Sequence, residues 1–207
     1  MSGSCGCHIE AETQAEQKLL IILLTINAVM FGLELTVGII SESTALIADS
    51  LDMFADAMVY AVGLYAVGKS LKTKVKAAYL NGILQIILGT TVLLDVMRRL
   101  TFGSEPDSFL MIIIGMLALV ANLICFGLLM RHRKGEIHLR STWICTRNDV
   151  IANVGVLIAA GLVALSHSPL PDLIIALLIA GVVLHGGLQI LREARQSSEP
   201  TTSCCGS

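Results

Sequence analysis

TALIADSLDMFADAMVYAVGLYAV, residues 44–67, is the stretch whose reading decides the fold. It is long and apolar enough to cross a bilayer as a helix, yet it carries Asp49, Asp52 and Asp56. An ionised carboxylate at mid-membrane costs several kcal/mol unless it is paired or hydrated, so acids in such a place mark a functional site. On a helix turning about 100° per residue, offsets of three and seven keep all three acids within about 60° of arc. A stripe of hard oxygen donors on one membrane helix points to a cation site.

The rest of the chain supports a membrane reading. Of the 207 residues, 55% are hydrophobic and only 14% charged, and the mean hydropathy is +0.78. A soluble domain carries nearer a quarter charged residues. The net charge of −2 argues against a nucleic-acid partner. Hydropathy places six spans, at 19–40, 44–67, 77–97, 108–130, 139–165 and 173–191. Each is near the ~20 residues that a helix needs to cross a ~30 Å core. The expected fold is therefore all-α, a six-helix transmembrane bundle. The first span follows an acidic stretch and is a full span long, which argues against a cleaved signal peptide.

Loop charges orient this bundle. Every Lys and Arg except Arg98, Arg99 and Arg147 falls before span one, between spans two and three, between spans four and five or at the very start of span five (Arg140), or after span six. The positive-inside rule then places both termini in the cytoplasm. The domain reading is a cytoplasmic Cys/His-containing tail over 1–18, the six-span unit over 19–195, and a short Cys-containing tail over 196–207. The expected location is a multi-pass membrane protein, in the cytoplasmic membrane if the source is bacterial.

The other intramembrane polar residues sort by position. In span one, Asn27 reads as a helix-packing residue and Glu34 as part of an ion path. Asp95, beside Arg98 and Arg99, reads as a structural ion-paired group near the outer surface. Span five carries Cys145, Asn148, Asp149 and Asn153. Cys145 and Asp149 are four apart and share a face, which Asn153 continues. A thiolate and a carboxylate so placed can ligate one metal ion. Lone Cys125 in span four reads as a small apolar residue.

Depth links the two helices. Span two starts at the outer face, so Asp52 and Asp56 lie roughly 12–18 Å inward. Span five starts at the inner face, so Cys145 and Asp149 lie roughly 9–15 Å up from the opposite side. Four side chains from two antiparallel helices can meet near the midplane as one tetrahedral site. Asp49 is then left nearer the outer mouth, in the surrounding shell or exit path with Glu34, Asn148 and Asn153.

The stretches SESTALIADSLDMFADAMVYAVGLYAV, STWICTRNDVIANVGVLIAAGLVA and PDLIIALLIAGVVLHGGLQILREA resemble spans two, five and six of the cation diffusion facilitator family of divalent-metal transporters. The resemblance implies a transport site at Asp52, Asp56, Cys145 and Asp149. It also implies metal export in exchange for protons, by alternating access, as a homodimer embedded in lipid. The first span-five ligand is commonly His, or Asn in manganese-type members. Here it is Cys145, which tilts the expected cargo toward zinc or cadmium, with cobalt or iron as alternatives. Family members usually carry a cytoplasmic metal-binding domain after span six. Only twelve residues follow Arg195, just past span six, so a short form without that domain is expected.

The tails hold Cys5, Cys7, His8, Cys204 and Cys205, a possible soft-metal cluster on the cytoplasmic side. They motivate an alternative, a membrane metal sensor or metallochaperone that binds without flux. No Gly-x-Ser-x-Gly elbow, HExxH or phosphate loop is present, so an enzyme is not expected. No prosthetic group is expected either; the metal is cargo.

Overall fold

The computed structural model describes residues 14–66, 71–132 and 138–198, the side chains of 15, 16, 66, 71, 74, 131, 132, 138–148, 197 and 198 excepted. Six helices account for nearly all of these residues: α1 (Gln14–Ile40), α2 (Thr44–Ala66), α3 (Leu71–Phe102), α4 (Ser108–His132), α5 (His138–Ser166) and α6 (Leu170–Ser198). No strand occurs among the described residues. The expected all-α bundle is thus found. All the helices but α2 outrun their hydrophobic stretches, most of all α3, which begins at Leu71 and continues to Phe102. Hydropathy sees the apolar middle of a helix, while its polar end turns obey backbone hydrogen bonding and are invisible to that measure.

Five helices are long and apolar enough to cross a membrane. The exception is α2, because any 18-residue window within Thr44–Ala66 contains all three aspartates. Its position explains how it tolerates them. It packs against α1, α3, α5 and α6, whereas α1 lies on α4, and α4 on α5, toward the outside. The apolar side chains left exposed, such as Ile21 and Val29 of α1, Ile87 of α3, Ile113 of α4 and Leu178 of α6, form the lipid-facing surface.

One end of the bundle is tied by a polar knot. Ser43 caps α2, its Oγ accepting from the Leu46 N–H at 3.1 Å. Asp172, at the start of α6, reaches across and accepts from Ser43 Oγ at 2.6 Å, from the Thr44 N–H at 2.8 Å and from the Ala45 N–H at 3.1 Å. A carboxylate so placed satisfies first-turn donors that have no partner within their own helix and complements the helix dipole. Asp95 of α3 pairs with Arg98 at 2.9 Å and with Arg99 at 2.6 Å, as its spacing indicates. It also accepts from Thr44 Oγ1 at 3.3 Å, and Arg99 donates to the Glu42 carbonyl. Glu42 has φ +51°, which turns α1 sharply into α2. The Asp107 N–H completes the knot by donating to the Ser41 carbonyl at 2.9 Å.

Below this knot lies the main apolar core. It joins Leu46, Ala48 and Leu51 of α2 to Val92, Met111, Val156, Ala159, Leu173 and Ala176 of the surrounding helices. A second cluster, around Leu20, Leu23, Tyr60, Cys125 and Leu129, fills the other half. On the far flank, α3 and α6 approach through glycine. A Cβ on Gly82 would stand 3.0 Å from the Gly187 carbonyl oxygen, so any side chain there would part the two helices.

Candidate metal site

The acids lie between the two apolar clusters. Asp52 and Asp56 are partly buried on α2, one turn apart, and Asp149 of α5 is buried opposite them. The Asp149 carboxyl comes within hydrogen-bonding reach of both Asp52 and Asp56. Its Oδ2 is buried and receives no hydrogen bond. Tyr60, one turn beyond Asp56, donates to Asp56 Oδ2 at 3.4 Å. Three carboxyls from two helices therefore face a common space. Among the described residues, no three acids, cysteines or histidines are drawn tightly enough to enclose an ion, so the three meet pairwise through Asp149.

A second polar group adjoins the first. Asn153, one turn along α5 from Asp149, donates through Nδ2 to Asp49 Oδ1 at 3.2 Å and to the Asp149 carbonyl at 3.0 Å. Glu34 of α1 comes within hydrogen-bonding reach of Asp49. Asp49, Glu34 and Asn153 are all almost wholly buried.

These placements bear on the sequence expectations one by one. Asp52, Asp56 and Asp149 come together, and Asp49, Glu34 and Asn153 gather beside them. The side chains of Cys145 and Asn148 lie outside the described residues, as do Cys5, Cys7, His8, Cys204 and Cys205. Asn27 is a packing residue: its Nδ2 donates to the Leu23 carbonyl at 2.9 Å and approaches Cys125 Sγ of α4 at 3.9 Å. Sequence reasoning missed Tyr60, although its offset of four from Asp56 was a usable signal. It also missed Asp172, which looks in sequence like an acid serving the first turn of its own helix.

Asp52 has a further neighbour, a cavity of about 470 Å³ between α5 and α6. Its walls include Ile151, Gly155, Ile175 and Ile179, so the carboxyl is the polar floor of an otherwise apolar cleft.

Comparison with known proteins follows the same lines. A zinc transporter, ZitB, of Yersinia pseudotuberculosis is 26% identical over 196 residues, spanning 87% of this chain and 62% of that protein. The vacuolar zinc transporter ZRC1 of Saccharomyces cerevisiae is 32% identical over 136 residues, which cover 59% of this chain and 30% of that one. A cadmium, cobalt and zinc/H(+)-K(+) antiporter of Bacillus subtilis is 22% identical over 201 residues, 90% of this chain and 64% of the relative. The chain thus spans less than two thirds of the length of these relatives. The family model for the cation efflux transmembrane domain matches residues 20–197, which reaches into all six helices and takes in every acid described above. The chain is a multi-pass membrane protein and belongs to the cation efflux family, the cation diffusion facilitators.

Proposed function

We propose that this protein exports a divalent transition-metal ion, zinc or cadmium in the first instance, through a site formed by Asp52, Asp56, Cys145 and Asp149. The observation that carries the reading is the meeting of Asp149 with both Asp52 and Asp56 in the interior of a membrane bundle. Carboxyls gathered in such a place, with no basic side chain among their partners in the described residues, are stable only when neutralised by cations or protons. A four-donor set with one thiolate suits zinc-like ions, and the zinc, cadmium and cobalt transport of the relatives supports the same class of cargo.

Exchange with protons follows from the donors themselves. Metal ligands bind as deprotonated groups, so metal entry expels protons and proton entry expels metal. The site loads metal when open to the cytoplasm and releases it to incoming protons when open to the other side. The working unit is proposed to be a homodimer in the lipid bilayer. The test is zinc uptake by proteoliposomes holding the purified full chain. Wild type is expected to accumulate zinc, and Asp56→Ala to fall to the rate of empty vesicles. Undiminished zinc and cadmium transport by Asp56→Ala would overturn the site.

A further inference from the structure

The Glu34, Asp49 and Asn153 group has a chemistry of its own. Glu34 is 0% exposed, and neither of its carboxyl oxygens receives a hydrogen bond. It extends from α1 toward Asp49 of α2, whose Oδ1 is held by Asn153 but whose Oδ2 is also unpartnered. Asn153 uses its Nδ2 on Asp49 and on the Asp149 carbonyl, and its own Oδ1 is left buried without a donor. Apart from the approach of the Glu34 and Asp49 carboxyls to each other, these four buried oxygens on three helices receive no hydrogen bond. Among the described residues, the charged groups near Glu34 are Asp49 and Asp52, both acidic. Arg99, the buried cation of the described residues, is engaged with Asp95 and the Glu42 carbonyl at the polar knot.

Buried oxygens without a donor each cost about 1–3 kcal/mol, and carboxylates more, so the arrangement calls for bound protons or a metal ion. A monovalent cation would leave one of two carboxylates uncompensated; a divalent one neutralises both. All four donors are oxygens, the preference of hard divalent ions rather than thiophilic ones. We propose that Glu34, Asp49 and Asn153 form a second, all-oxygen site for a divalent cation beside the Asp52, Asp56 and Asp149 site. The proposal builds on the transport reading in treating that first site as separately occupied. Asp49 lies three residues, roughly 4.5 Å of helix rise, nearer the knotted end than Asp52. An ion moving toward that end would therefore be held here, beneath Leu46, Ala48 and Val156 of the main core, until the helices part.

The test is manganese binding by the full chain in detergent, first loaded with one zinc ion per chain. Bound manganese is read by loss of the free-ion electron paramagnetic resonance signal. Zinc-loaded wild type is expected to bind one further Mn²⁺. Glu34→Gln and Asp49→Asn should weaken that binding by tenfold or more, while Glu34→Asp, which keeps the carboxylate, retains it. Zinc stoichiometry measured on Glu34→Gln should stay at one, which also shows that the variant is folded. Absence of the extra manganese in wild type, equal binding by Glu34→Gln, or displacement of manganese by excess K⁺ or Na⁺ would overturn the proposal. Zinc binding by Asp56→Asn is the separate control: if it is unchanged, the transport-site reading fails whatever manganese does.

Discussion

At the scale of single residues, Cys145 distinguishes the proposed transport site from an all-carboxylate one. In the proposed set of three aspartates and one cysteine, the thiolate is the one soft donor, so it carries the preference for thiophilic ions. Replacing it with a hard donor should change selectivity more than it changes transport as such. Cys145→Asp is expected to lower cadmium uptake relative to manganese by about tenfold, or ~1.4 kcal/mol of differential binding. Parallel flux measurements with the two ions check this, and an unaltered ratio would remove Cys145 from the donor set. The acids at this scale were largely legible in the sequence. Asp52, Asp56 and Asp149 stood out because a charge within a hydrophobic run needs a reason, and helix rise placed them at overlapping depth. The hydrogen bond from Asn153 to Asp49 was not legible, because it depends on how α5 is rotated against α2. No periodicity fixes that rotation.

At the scale of elements, α2 is the helix whose placement the site depends on, and Asp172 of α6 holds its first turn. The carboxylate accepts three hydrogen bonds while almost wholly buried. Truncating it leaves the Thr44 and Ala45 N–H groups and the Ser43 hydroxyl unsatisfied, and bonds to a charged acceptor contribute more than neutral ones. Asp172→Ala is expected to destabilise the bundle by roughly 2–4 kcal/mol, seen as a lowered thermal midpoint in detergent. A midpoint equal to that of wild type would show that the cap is dispensable. The helices themselves could be read from hydropathy, but their ends and their neighbours could not. Which helix Asp172 caps is a matter of topology, and residues about 130 positions apart meet here only because α2 and α6 begin at the same end of the bundle.

At the scale of the whole molecule, the proposal joins two fluxes. The donors of the transport site must lose protons to take metal, so acid weakens binding and alkali strengthens it until every ligand is deprotonated. In a vesicle that accumulates zinc, the site faces the lumen after delivering its ion and returns carrying protons. Zinc uptake should therefore make the lumen more alkaline, and an imposed acid lumen should speed uptake, since protons there complete metal release. A trapped pH-sensitive dye, read alongside a zinc-sensitive one, measures both quantities in one preparation. Wild type is expected to show luminal alkalinisation in step with zinc entry, with neither signal in Asp56→Ala. Zinc entry with no pH change, and with a rate indifferent to luminal pH over two units, would separate the metal pathway from proton exchange. It would leave the carboxyl cluster as a conduit driven by the zinc gradient alone.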